Sequence, residues 1–126
     1  MQPTADNTRP PFDFSKLKAR WAREQAETSA ESSRLRDQVS REVPPILRRY
    51  GVGRAYLFGS IAEGRAHARS DVDLLVMDVP AAIYWDLRHD LEQALGRPLD
   101  LLTQDDDPVL VGKIIARGEL IDGPHP

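Results

Sequence analysis

The stretch VDLLVM, Val72 to Met77, constrains the fold of this chain more than any other. Its one charged residue is Asp73, and an apolar run this short is expected of a strand covered on both faces, which obliges other segments to supply the covers. The flanking sequence contains them. RAYLFG, Arg54 to Gly59, reads as a short strand, and PLDLLT, Pro98 to Thr103, as a third. Between the second and third strands, Ile83, Leu87, Leu91, Ala94 and Leu95 fall on one stripe of a helix that Gly96 stops. Asp107 is placed to N-cap a further helix with Pro108 at its first position. That helix runs through VLVGKIIARG, ends at Gly118 and is followed by a short ELI strand. This order of elements predicts an α/β (α+β) domain, a small mixed sheet with helices packed on it.

Upstream, the sequence predicts two helices and a tail. Residues 1–14 are rich in Pro, Asn, Thr and Asp and are expected to be disordered. Residues 15–41 contain no Gly or Pro and read as a helical extension N-capped by Ser15. Its apolar face is thin, with Phe14, Leu17 and Trp21 at one end and Leu35 and Val39 at the other, so it reads as a solvated arm packed at its ends. A partner-binding or dimerising helix is the alternative. A separate helix is expected through VPPILRRYG, with Pro44 and Pro45 in its first turn and Gly51 closing it. Residues 42–126 thus form the sheet domain, and 126 residues suffice for one core.

Composition excludes several classes of function. The 17 Lys and Arg against 20 Asp and Glu give a net charge of −3, so no overall positive field gathers nucleic acid. The absence of cysteine removes disulfide and thiolate-metal chemistry. With neither a signal-peptide core nor a membrane-length apolar run, the cytoplasm is the expected location.

The chemistry centres on FGSIAEGRAHARSDVDLLV, Phe58 to Val76. Residues two apart on a strand share a face, so Asp71 and Asp73 project together from the start of the second strand. Two carboxylates that close repel unless cations lie between them, and an all-oxygen pair suits Mg²⁺ or Mn²⁺ with phosphate oxygens and water. Gly59 lets the backbone turn sharply and approach a ligand closely. Ser60 opens a helical turn whose free N–H groups can cradle phosphate. Asp100, set among Leu99, Leu101 and Leu102, is an expensive place for an unpaired carboxylate. If the third strand adjoins the second, the three acids form one cluster.

Gly59-Ser60, ten intervening residues, Asp71-Val72-Asp73 and a later strand acid in LDLLT together resemble the signature of the DNA polymerase β-type nucleotidyltransferase superfamily. At this size the chain is most similar to its minimal nucleotidyltransferases (MNT), many of them partners of HEPN-domain toxins in toxin-antitoxin pairs. The resemblance spans about Val43 to Ile121. It implies that Gly59 and Ser60, with Arg65 and Ser70, bind the nucleotide, the first two at its β- and γ-phosphates. It further implies that Asp71 and Asp73 ligate two Mg²⁺ ions (Mn²⁺ as substitute), and that Asp100 completes the nucleophile-side metal and acts as base. The implied reaction is transfer of a nucleotide, AMP from ATP, to a macromolecular acceptor, expected to be a HEPN-type toxin. The chain departs from many relatives in carrying Ile61-Ala62-Glu63 before Gly64, where a basic residue is common. Arg65, His67 or Arg69 would then have to offset the charge of Glu63.

The alternatives are an antitoxin that neutralises by contact alone and a small-molecule adenylyltransferase of the antibiotic-modifying kind. A homo-oligomer through the N-terminal helix is a further expectation. Lys113 and Arg117 read either as triphosphate contacts or as a solvated face. His67 reads as a loop residue, Trp85 as core or interface, and Asp105-Asp106-Asp107 as a loop ending in a cap. His89 and His125 receive no role.

Overall fold

The computed structural model of the chain describes residues 13–123; the expected disorder of residues 1–12 and the tail residue His125 lie outside that range. The elements are helix α1 (Ser15–Arg49), strand β1 (Arg54–Phe58), the short helix α2 (Gly59–Ala62), strand β2 (Val72–Met77), a 3₁₀ turn (Ala81–Ile83), helix α3 (Tyr84–Leu95), strand β3 (Leu99–Thr103), helix α4 (Pro108–Arg117) and strand β4 (Glu119–Asp122). The strands form one mixed sheet in the order β3-β2-β1-β4, in which β2 and β3 are parallel and the pairs β1–β2 and β1–β4 antiparallel.

The two faces of the sheet are covered unequally. On one face Ala55, Leu57, Val72, Leu74, Val76, Leu99 and Leu101 pack against α1 and α3 through Leu35, Val39, Val43, Leu47, Leu87 and Leu91, all buried. The opposite face carries a smaller cluster, Tyr56 and Leu75 beneath Val111 and Ile114 of α4. Because α4 covers only part of that second face, one end of it stays open to solvent. The acids stand at that end.

Where two helices were expected upstream, the structure has one. α1 is continuous through Pro44 and Pro45, residues that each delete a backbone donor and cost about 3 kcal/mol in a helix interior. The stripe Leu35, Val39, Val43, Ile46 and Leu47 recurs at three- and four-residue spacing, and its burial on the sheet outweighs that cost. The carbonyls orphaned by the prolines belong to Ser40 and Arg41, both exposed, so water can satisfy them. The helix starts at Ser15 as expected, but Ser15 is not its cap: the Ser15 N–H donates to Asp13 Oδ1 at 2.9 Å. Upstream of Glu31, only Leu17 and Thr28 of α1 are even partly buried, while Phe14 and Trp21 are exposed. Other expectations hold. Gly96 closes α3 in a left-handed conformation, and Asp107 accepts from the Val109 N–H at 3.0 Å with Pro108 at the first position of α4. Among the described residues no helix is long and apolar enough to cross a membrane.

Candidate active site

Strand register assembles the acids. Asp73 of β2 lies opposite Phe58 at the end of β1 and beside Asp100 of β3, so the three side chains share one sheet face. Asp71, two residues before Asp73, joins them from the entrance to β2. Asp100 is not buried as its leucine neighbours suggested: it is exposed, because alternation along β3 sends Leu99 and Leu101 to the opposite face. Asp73 is the partly buried member. Its desolvation, reinforced by the charge of Asp100, a hydrogen bond with Asp100 and the charge of Asp71, pushes its carboxyl up to about 6.

Gly59 is fitted to this cluster. It sits at φ +76°, and a Cβ built there would overlap Asp73 Oδ2, so the close approach expected of this glycine is made to the carboxylate itself. From Gly59 the chain winds tightly. The Glu63 N–H donates to Gly59 O at 3.0 Å and the Arg65 N–H to Ser60 O at 2.8 Å. The side chain of Arg65 pairs with Glu63 at 3.0 Å, so the charge of Glu63 is offset by its near neighbour.

The linker from Ala66 to Asp71 is held from three sides. The Ala66 N–H donates to Ser32 Oγ of α1 at 2.8 Å, in buried surroundings. Within the linker, the His67 N–H donates to Ser70 Oγ at 2.9 Å and the Ser70 N–H to His67 O at 3.0 Å. Arg97 Nη1 donates to Ser70 O at 3.0 Å, tying the residue before Asp71 to the approach to β3. Ser32 and Arg97 are positioning residues that the sequence reading did not single out. Ser32 lies on the Leu35–Val39 stripe of α1 and was visible in principle as a polar residue on an apolar face; Arg97 carries no comparable signal.

The result is an open cavity of about 410 Å³ walled by Asp71, Asp73 and Asp100, with Ser60 and Ser70 beside them and His67 and Arg69 at the rim. Of the residues expected to bind nucleotide, Ser60 and Ser70 line this cavity and Gly59 abuts it, whereas Arg65 is engaged with Glu63. On the other side of the Gly59-Ser60 turn lies a second cleft of about 400 Å³, between α2 and the end of α4. Trp85, expected in the core or an interface, is 72% exposed, stacked edge-on with Tyr84. The loop reading of the Asp105–Asp107 run holds, since Asp106 Oδ2 accepts from the Thr103 N–H at 2.8 Å.

The donor set fits a hard divalent cation. It is all oxygen, and Asp73, raised first by its burial, is raised further by like charges that a cation would relieve. Among the described residues no three acids or imidazoles already enclose a single point. Mg²⁺, which keeps water and substrate phosphate in its shell, suits so open a set.

A mixed sheet with a glycine-serine turn, two acids at the mouth of one strand and a third on its parallel neighbour defines a nucleotidyltransferase class of protein. The comparisons agree: the profile of the family described as "Polymerase beta, Nucleotidyltransferase" matches residues 41–123, and the chain belongs to that family. A candidate protein adenylyltransferase of Methanocaldococcus jannaschii is 35% identical over 83 residues, covering 63% of this chain and 89% of its own. A chain from a crystal structure of a toxin-antitoxin with AMP-PNP superposes with a TM-score of 0.60 at 26% identity, over 68% of this chain and 73% of that one. A candidate minimal nucleotidyltransferase gives a TM-score of 0.53 at 25% identity, over 87% and 97% of the two chains.

Proposed function

We propose that this nucleotidyltransferase transfers AMP from ATP to a hydroxyl of a macromolecular acceptor, a HEPN-type toxin that the modification silences. The observation that carries the reading is the carboxylate cluster: Asp73, pushed up to about 6 by its partial burial and then by Asp100 and Asp71, against a glycine that admits no side chain. Acids held together at such a cost are explained by a charge brought in with the substrate.

In the proposed reaction the acceptor oxygen attacks the α-phosphorus in line, the bond to the pyrophosphate oxygen breaks, and the hydroxyl proton passes to the Asp100 carboxylate. Asp71 and Asp73, with Asp100, would hold Mg²⁺, or Mn²⁺ in its place. When bound, the cation polarises the phosphate oxygens and offsets the charge that develops on the attacking and leaving oxygens. Ser60 and the backbone beyond Gly59 orient the phosphates. Ser70 acts through the linker, because its hydroxyl accepts from His67 N–H. The adenylyltransferase relative and the AMP-PNP complex support ATP as donor, and the toxin-antitoxin neighbour supports the partner.

Calorimetric titration of ATP with Mg²⁺ tests the site, using the Asp71→Asn/Asp73→Asn variant as comparison. Micromolar-range binding that the variant loses is expected, since neutral amides cannot balance the cation. Equal binding by both proteins would remove the acids from the site. Transfer of label from α-labelled ATP to the toxin separates an enzyme from an antitoxin that neutralises by contact alone.

A further inference from the structure

The second cleft carries charge that the proposed reaction has not yet used. Its floor is apolar, formed by Phe58, Ala62 and Ile114, and its lip holds Lys113 and Arg117, one helical turn apart on the same side of α4. Both cations are exposed, and among the described residues neither has an ion pair or hydrogen bond. Glu63 shares the cleft but is already matched by Arg65 at 3.0 Å. The lip therefore presents two uncommitted positive charges.

The fold places them across the Gly59-Ser60 turn from the acids. α4 follows β3 and returns along the acid-bearing face, and β4 then starts at Glu119 opposite Leu57, near the end of β1 that leads into Gly59. Gly118 makes that approach close: a Cβ there would lie 2.6 Å from Ile114 O and 3.1 Å from Leu57 O, so a side chain would push the last turn of α4 off β1. The two clefts are separated by little more than the Gly59-Ser60 turn, which contributes one residue to each. A phosphate chain with its α-phosphate against Asp71, Asp73 and Asp100 would have to cross only that turn to enter the second cleft.

We infer that Lys113 and Arg117 are specificity-determining residues that hold the terminal phosphates of the nucleoside triphosphate and the departing pyrophosphate, in place of the basic residue that the 61–63 segment lacks. The inference rests on the nucleotidyltransferase reading of the acid cluster and adds to it a discrimination between triphosphate and monophosphate. Charge-assisted contacts to phosphate are strong enough that each cation is expected to contribute on the order of tenfold in affinity.

The test measures Mg²⁺-dependent binding of ATP and AMP, and competition by inorganic tripolyphosphate, for the wild type and three variants. Lys113→Gln/Arg117→Gln is expected to weaken ATP and tripolyphosphate on the order of tenfold to a hundredfold and AMP by less than about threefold. Arg48→Gln/Arg49→Gln, which removes two charges from the last turn of α1, is expected to leave ATP within about threefold, excluding a general loss of field. Asp71→Asn/Asp73→Asn reports on the acid site separately. If that variant loses ATP while Lys113→Gln/Arg117→Gln binds it like the wild type, or loses ATP and AMP alike, the inference is overturned and the proposed function stands. If the folded wild type binds no ATP, both are overturned.

Discussion

At the scale of single residues, Asp73 joins the structure most directly to a measurement. Its carboxyl titrates near 6 in the folded protein and near the ordinary aspartate value of 3.8 in the unfolded chain. Between about pH 4 and pH 6 the folded state therefore holds a proton that the unfolded state has released, and stability falls as pH rises through that interval, then levels off. The full shift corresponds to about 3 kcal/mol, and screening at so open a site reduces the expected effect to about 1–2 kcal/mol. Urea midpoints of wild type and Asp73→Asn measured from pH 4 to pH 8 without divalent cation should diverge in that sense, the variant gaining relative to wild type as pH rises. Added Mg²⁺ should close the gap for the wild type alone, because the cation compensates the charge that the proton otherwise removes. Parallel pH profiles would mean that neither burial nor the neighbouring carboxylates raise Asp73 in solution. The cluster was legible in the sequence as two acids at period two and a third awaiting its neighbour. What sequence could not give was the asymmetry within it, since burial of Asp73 and exposure of Asp100 depend on which strand edge faces solvent.

At the scale of elements, the helices and strands that sequence revealed best were those ended by local chemistry: Gly96 after α3, and Asp107 with Pro108 before α4. α1 was misread because two prolines are a strong local stop signal, and only the sheet beneath them explains why the helix continues. That continuity has a consequence for the site. One rigid element carries both the buried stripe and Ser32, whose hydroxyl accepts from the Ala66 N–H in the linker that leads to Asp71. Ser32→Ala leaves that buried donor without its partner, at an expected cost of about 1–3 kcal/mol. Because the slack appears in the linker, ATP affinity should fall severalfold although Ser32 does not line the acid cavity. Denaturant unfolding and ATP titration on the same variant check both halves; a destabilised protein with unchanged affinity would show that α1 supports the fold without setting the site.

At the scale of the whole molecule, packing divides the chain differently from its elements. From Glu31 onward α1 is anchored to the sheet, the linker or α3. Before that point Leu17 and Thr28 alone are partly covered, and the ion pair there, Arg20–Glu24, is solvent-exposed and worth little. The family match begins at residue 41, so neither the catalytic reading nor the core accounts for the first half of this helix. Trp21 nevertheless stands on it more than half exposed, an unfavourable arrangement for so large an apolar side chain. Excision of residues 13–26 is therefore expected to change folding stability by no more than about 0.5 kcal/mol and to leave ATP affinity unaltered, since Leu17 alone among them is even partly buried. If the arm is the surface by which the protein grips its proposed toxin, the shortened chain should elute apart from that toxin in size-exclusion chromatography with light scattering, where the full chain co-elutes. A shortened chain that still co-elutes places the grip on the sheet domain and on the rim around Arg69, and the adenylated hydroxyl would then have to reach Asp100 without help from α1.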